Sequence, residues 1–466
     1  MASDPKRGSV PAPIPGTVAS SVPGLLWPGL PASGQLAVLA LHEQLSHSQW
    51  WAPARLEALQ LHQLAALIDH AVRTVPYYRR ALPRGGRVGA QFLRSLPLLT
   101  RAAVQEDPAA LRSTAIPAGH GTAGEVRTSG STGRPVELRC TGLAMAFRKA
   151  LYLRDHFWSA RDLTLEAATI RNFRDGSGMP PQGKTVAGWG HGYATRPMHA
   201  LNIRATVEEQ LAWLQRVRPA YLATFPTNLR ALAEAALAQG IALAGLRQVS
   251  TYAESLPAGL RDLVRRAFGA TVADIYSSEE TGPIAFQCPQ HEHYHLQSEH
   301  LIVEVLDEAG RACAPGATGR VVVTDLHNFA TPLIRYELGD HAEAGPPCPC
   351  GRGLPVLTRI LGRTRHMLRL ADGGARWPSL PSGDELGTIA PVRQFQLVQK
   401  SLTGLELRLV VARPLTPEEE ARVRQAFLGD LGQAFAQSFD LRLVYAAAIA
   451  RTASGKYEDF RCEVVE

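Results

Sequence analysis

The spacing of apolar and polar positions predicts where the chain is helical and where it is extended. Residues 36–80 place apolar side chains at helical intervals and include the adjacent Trp50 and Trp51. A helix ends before Pro76, because a proline ring disfavours helical geometry at the residue ahead of it. Further helical spacing covers 142–158 and 207–217, and short apolar runs at 221–225, 272–276, 301–306 and 320–324 read as strands. Helices alternating with buried strands predict an α/β unit with a mainly parallel sheet, and antiparallel hairpins are expected across 296–340. Near Gly362 the pattern changes. Strands are expected at 394–399, 405–411 and 441–445. A helix is expected over 416–435, with Pro417 at its start and Glu418, Glu419 and Glu420 in its first turn, where backbone N–H groups favour negative charge. This is the signature of a separate small α+β domain.

Length and composition narrow the classes. The chain has 466 residues, 45% hydrophobic and 20% charged, which suits a globular protein of two or more domains. No apolar run approaches the about 18 residues of a membrane-spanning helix, so no membrane partner is expected. The first residues are rich in Pro, Ser and Gly without a continuous apolar core, which predicts a loose leader and not a signal peptide. Six cysteines form no disulfide framework, and the expected location is a reducing cytoplasm. The net charge of +7 comes from scattered arginines with no basic tract. Nucleic acid is therefore not expected as a partner, and a substrate bearing phosphate or carboxylate accounts equally well for the excess charge.

Candidate chemistry starts at Thr128, Ser129, Gly130, Ser131, Thr132 and Gly133, followed by Arg134 and Pro135. The glycines permit close backbone approach, the hydroxyls can bond phosphate oxygens or Mg²⁺, and successive N–H groups can form an anion nest. No Gly-Lys-Ser/Thr follows, so this is not the common P-loop. The run resembles the phosphate loop of acyl-adenylate-forming enzymes. Further segments follow in the order that superfamily uses. Tyr276 and Ser277 precede Glu279 and Glu280; the resemblance places Tyr276 on adenine and gives Mg²⁺ to Glu280 in preference to its neighbour. Ala253 and Glu254 resemble a loop bordering adenine, with Tyr252 where glycine is usual. The run 333–340 ends in Asp340, implied to accept from the ribose hydroxyls, as an ionised carboxylate can. Gly362 and Arg363 resemble the hinge between domains, where Arg365 and His366 replace the family's acidic pair. Lys456 resembles the catalytic lysine that offsets the repulsion between carboxylate and α-phosphate. The runs at 75–79 and 96–100 resemble phenylacetate–CoA ligases in particular.

Cys288, His291, His295, Cys348 and Cys350 form a second group. Four thiol and imidazole ligands suit tetrahedral Zn²⁺, and some phenylacetate–CoA ligase-like proteins carry such a site at these two places. The three cysteines are the expected ligands with His295 or His291 as the fourth, His295 favoured, in a structural and non-catalytic site.

The resemblance implies a flexible leader at 1–35, a large multi-layer adenylate-forming domain with mixed sheets at 36–362, and a small mobile α+β domain at 363–466. It implies that a small aryl or arylacetic acid attacks Mg·ATP to give acyl-AMP, with Glu280, Thr132 and Lys456 as catalytic residues, and that coenzyme A then takes the acyl group. An amine or a carrier-protein thiol also fits as acceptor. A homodimer is a further expectation. The reading of another class is an ATP- or AMP-binding protein without catalysis.

Overall fold

The computed structural model describes residues 14–83, 88–128, 135–173, 175–363, 367–376, 378, 380–381, 383–435, 437–450 and 458–464. The helical spacing near the N-terminus yields α1 (Ser33–Ser48), α2 (Pro53–Thr74) and α3 (Pro76–Ala81). Val75 is extended and ends α2, while Pro76 opens α3, where its missing N–H has no partner to lose. The short helices α4 (Ala90–Ser95) and α5 (Arg101–Glu106) follow, the latter capped by Thr100, whose hydroxyl accepts from Ala103 N. The leader expected at 1–35 is only partly a leader. Gly16 N donates to Ala194 O and Ala19 N to Gly192 O, at 2.7 and 2.9 Å, and α1 already begins at Ser33.

Strands β1 (Ala123–Arg127) and β2 (Glu137–Thr141) form a hairpin around the expected phosphate loop, and α6 (Gly142–Trp158) leaves it under a Thr141 cap. Then come β3 (Ala167–Arg171), β4 (Lys184–Val186), β5 (Met198–Asn202), α7 (Val207–Val217), β6 (Tyr221–Thr224), α8 (Pro226–Gln239), β7 (Gln248–Tyr252), α9 (Leu260–Phe268) and β8 (Thr271–Ser278). The chain continues through β9 (Gly282–Gln287), β10 (Tyr294–Leu296), β11 (Leu301–Leu306), β12 (Thr318–Asp325), β13 (Tyr336–Ala344) and β14 (Val356–Arg363).

Strands β3 to β14 make one 12-stranded sheet in the order β11-β12-β13-β14-β10-β9-β8-β7-β6-β3-β5-β4. It is mixed and not mainly parallel. Only β3, β5, β6, β7 and β8 pair in parallel, joined by crossovers that include α7, α8 and α9. After β8 the connections shorten, and short connections join antiparallel strands. One core packs α2, α3 and the antiparallel half around residues such as Leu67, Tyr78 and Tyr336; another packs α7, α8 and α9 on the parallel half around Trp213, Leu229 and Val264.

The last hundred or so residues have their own core around Leu407, Phe427 and Phe460. A small pair, β15 (Leu368–Arg369) with β16 (Ala375–Arg376), precedes α10 (Gly383–Ile389). A four-stranded sheet of order β19-β18-β17-β20 joins β17 (Val392–Gln399), β18 (Gly404–Val411), β19 (Asp440–Tyr445) and β20 (Phe460–Cys462), with α11 (Pro417–Phe435) between β18 and β19. The strand β20 spans only three residues, too few to show an alternating pattern in the sequence. Among the described residues, no helix is long and apolar enough to cross a membrane.

Candidate active site

The large sheet changes from parallel to antiparallel pairing at β8, and the turn that leaves β8 carries Glu279 and Glu280. Ser278 Oγ accepts from Thr281 N at 3.0 Å and closes this turn. Arg148, from α6, lies beneath it and donates to the carbonyls of Glu279 and Glu280 at 3.4 and 2.5 Å. Gly282 leaves room for Arg148: a Cβ there would sit 2.7 Å from its Cδ, and the glycine φ is +79°.

The Glu280 side chain is buried at 4% exposure, yet it is paired. Arg101 Nη1 donates to its Oε1 at 3.0 Å, while Arg101 Nη2 donates to Thr128 Oγ1 at 3.1 Å. One guanidinium thus joins the carboxylate to the first residue of the expected phosphate loop. Thr128 Oγ1 also accepts from Val136 N at 2.9 Å, which closes the base of that loop. Arg101 is delivered by pairing of Leu99 with β13: Leu99 N donates to Arg335 O, and Glu337 N donates to Leu99 O. Neither Arg101, Arg148 nor Tyr336, whose hydroxyl lies 3.5 Å from Glu280 Oε1, was among the sequence candidates. Arg101 directly follows the 96–100 run, and that adjacency was the available signal.

Tyr276 and Asp340 meet. The Tyr276 hydroxyl donates to Asp340 Oδ2 at 2.9 Å, although β9, β10 and β14 stand between β8 and β13 in the sheet order. The antiparallel half must therefore curl back over the end of β8. Gly339, with φ +76°, makes the local turn of β13 before Asp340. Asp340 pairs in register with Arg363 on β14, so the ribose and hinge candidates lie opposite each other. The run 332–334 is fixed by Tyr78 of the 75–79 run, whose hydroxyl donates to Pro332 O and accepts from Ile334 N, each at 3.0 Å.

Ala253 has a positive φ of 69° just beyond β7. Glu254 caps α8, accepting from Thr227 N and Oγ1 at 3.1 and 2.8 Å. Ser277 is hydrogen-bonded to Tyr152. The candidates Ser129, Gly130, Ser131, Thr132 and Gly133, the hinge residues Arg365 and His366, and Lys456 lie outside the described residues, as does the side chain of Arg363. Residues 225–228 lie at the β8-turn end of the sheet, with Phe225 packed on Tyr252 at 5.2 Å. Trp189 instead packs on Tyr221, at the opposite end of β6.

A second cluster joins β9–β10 to the loop before β14. Ligand atoms of Cys288, His295, Cys348 and Cys350 lie within 4.8 Å of one another. Cys288 and Cys348 approach to 3.8 Å, and His295 Nε2 lies 3.3 Å from Cys350 Sγ. His295 Nδ1 faces Leu354 O at 3.4 Å, which directs Nε2 towards the thiols. Burial lowers His295 to about 4 and keeps it neutral. Burial raises Cys348 to about 12, while Cys350, hydrogen-bonded by Arg352 and Cys348, is held below the ordinary thiol value. His291 is not in the group; its ring stacks on His293 at 5.2 Å.

Comparison with known proteins agrees with this arrangement. No family model matches the chain. A phenylacetate–coenzyme A ligase of Thermus thermophilus is 26% identical over 393 residues, 78% of this chain and 83% of its own. A phenylacetate–coenzyme A ligase of Aromatoleum evansii is 26% identical over 332 residues, 67% of this chain and 71% of its own. In fold, the chain is similar to a 2-hydroxyisobutyryl-CoA ligase solved in the postadenylation state with 2-HIB-AMP, at a TM-score of 0.71 and 20% identity, covering 89% of this chain and 90% of that one. The mixed α/β architecture is thus that of adenylate-forming ligases, and the resemblance read from the sequence extends to curated phenylacetate–coenzyme A ligases.

Proposed function

We propose that the protein is an AMP-forming acid–thiol ligase that activates a small carboxylic acid with ATP and transfers the acyl group to coenzyme A. The observation that carries this reading is the Arg101 bridge between Thr128 and Glu280, beside the Tyr276–Asp340 pair. The bridge supports the reading by bringing Thr128 and Glu280 together at the end of the sheet to which this reading assigns phosphate, metal and nucleoside. The relatives named phenylacetate–coenzyme A ligase support the same chemistry and favour an aryl or arylacetic acid.

In this reading Asp340 accepts from the ribose hydroxyls, and the ring of Tyr276 forms a wall for adenine, oriented by its bond to Asp340. The hydroxyls and N–H groups of 128–133 hold phosphates. Glu280 is the acidic oxygen donor beside that loop and suits Mg²⁺, a hard ion that prefers oxygen and bridges phosphates. The ion would supply charge neutralisation when bound. Arg101 holds Glu280 in place and keeps its charge compensated within the protein. Lys456, in the C-terminal unit, is the residue this reading assigns to offset the charge of the acid carboxylate and α-phosphate during adenylation, and no nucleophilic side chain is needed.

Cys288, His295, Cys348 and Cys350 suit a structural Zn²⁺, since three thiolates and one imidazole close a tetrahedral set. It would fasten the 348–353 loop, which already bonds the residue just past α1, Gly353 N donating to Gln49 O at 2.9 Å. The sulfur ligands imply a reducing compartment, and we place the protein in the cytoplasm. The function is tested by incubating the chain with Mg·ATP, coenzyme A and a panel of acids, and looking for thioesters by mass spectrometry. An ATP-dependent acyl-CoA supports the ligase. Acyl-AMP accumulating unchanged with coenzyme A, but consumed by an amine, would reassign the acceptor.

A further inference from the structure

Beneath the Glu279–Glu280 turn lies a polar cluster that nucleotide binding does not use. His300 follows β10, Asp325 ends β12, and His327 comes just after it. His300 and Asp325 are each 0% exposed. One ligand atom from each of the three residues lies within 4.8 Å of the others. Backbone pairing sets this proximity, because Leu326 N donates to His300 O at 3.1 Å.

The proton positions follow from the partners. His300 Nε2 lies 3.0 Å from Thr281 O, and a carbonyl only accepts, so Nε2 carries the proton and Nδ1 a lone pair. His327 uses its ring in a hydrogen bond to the backbone of His300. Asp325 Oδ1 accepts from His327 N and Asn328 N at 3.0 and 3.2 Å. What remains are His300 Nδ1, His327 Nδ1 and Asp325 Oδ2, all buried and without hydrogen-bond partners among the described residues. Arg148 does not satisfy the carboxylate: its Nη2 is 3.9 Å from Asp325 Oδ2 and is turned to Glu280 O. Burial holds both imidazoles below their ordinary value, so their lone pairs are free.

Leaving such groups unmatched in the interior costs about 1–3 kcal/mol each. A water molecule donates only two hydrogen bonds and leaves one of the three lone pairs unmet. A cation meets all three at once. We propose that His300, Asp325 and His327 bind a divalent first-row transition metal, zinc foremost, in a site separate from the cysteine cluster. Two imidazoles and one carboxylate are a donor set for such ions, and each ring has the carbonyl contact that commonly orients a metal-binding histidine. The ion ties β12 and the 298–300 turn to the underside of the turn bearing Glu280, through Thr281. It is a structural ion that holds the turn bearing Glu280 in place. The proposal does not rest on the ligase reading, because its readout is the metal itself.

The test is metal content by inductively coupled plasma mass spectrometry, with circular dichroism as the check of fold. The triple variant Cys288→Ser, Cys348→Ser, Cys350→Ser removes the thiol cluster. It is expected to keep bound metal, and with Co²⁺ to show ligand-field bands without a thiolate charge-transfer band. Adding His300→Gln and His327→Asn should abolish that binding. If the serine variant does not fold, His327→Asn in the wild-type background decides: metal content should fall by about half while the thiolate band of the Co²⁺ form persists. A folded serine variant without metal, or a wild-type metal content unchanged by His327→Asn, overturns the proposal.

Discussion

The hydroxyl of Tyr276 donates a 2.9 Å hydrogen bond to Oδ2 of Asp340, across 64 residues of sequence. Two residues assigned to one nucleoside are therefore also partners of each other. Tyr276→Phe keeps the ring and removes the bond, and should raise KM for ATP roughly fivefold, in line with about 1 kcal/mol for one hydrogen bond. Asp340→Ala also removes the charge and should cost about 3 kcal/mol, roughly a hundredfold in kcat/KM for ATP. Because the bond is shared, the double variant should lose less than the sum. Strict additivity in steady-state kinetics would contradict the shared role.

Arg101 holds both Thr128 and Glu280. Arg101→Ala leaves a buried carboxylate without its cation, and stability should fall by about 3 kcal/mol in urea unfolding. The apparent KM for Mg²⁺ should change as well, whereas a residue of packing alone would leave it unmoved. Arg101→Lys should restore part of the stability.

Gly282 fixes the position of Arg148. Gly282→Ala combines a positive φ of +79° with a contact of 2.7 Å to Arg148 Cδ. It should destabilise by about 2 kcal/mol and lower kcat through displacement of the Glu280 turn. A variant with wild-type thermal stability and kcat would show that the turn tolerates movement of Arg148.

Acid should destabilise the fold through buried histidines. His42 is lowered from 6.5 to about 4 by burial, with Arg154 adding to the effect. Between those values the unfolded chain binds the proton and the folded chain does not, so stability falls as pH falls through that window. Urea midpoints should decline from pH 6.5 towards 4, and His42→Gln should decline less steeply than wild type. An unchanged slope in the variant would remove His42 from the account.

Local chemistry was legible where one short run carried the whole signal. Pro76 marked the end of the helix before it and Pro417 a helix start, and the three glutamates after Pro417 matched the first turn of α11. Tyr276 and Asp340 could be assigned to one ligand from resemblance, but nothing in the sequence announces their mutual bond, which depends on the curl of the sheet. The sheet was read as mainly parallel because the helix alternation at 142–278 dominates the pattern; hairpins after β8 carry a weaker periodic signal. Arg101 was missed because a lone arginine at a helix start resembles any solvated one until Leu99 is paired with β13. The His300–Asp325–His327 cluster joins a short Asp-x-His pair at the end of β12 to a histidine 25 residues upstream, and a lone Asp-x-His pair does not announce a site until the backbone pairing of Leu326 with His300 is known.

The central claim is acyl-adenylate formation, and pyrophosphate release from Mg·ATP tests it most directly. Across a panel of aryl, arylacetic and aliphatic acids, release should depend on one acid class, should occur without coenzyme A, and should be lost in Lys456→Ala while ATP binding is kept. ATP binding with no acid-stimulated release across the panel would contradict the ligase reading and identify a nucleotide-binding protein without catalysis.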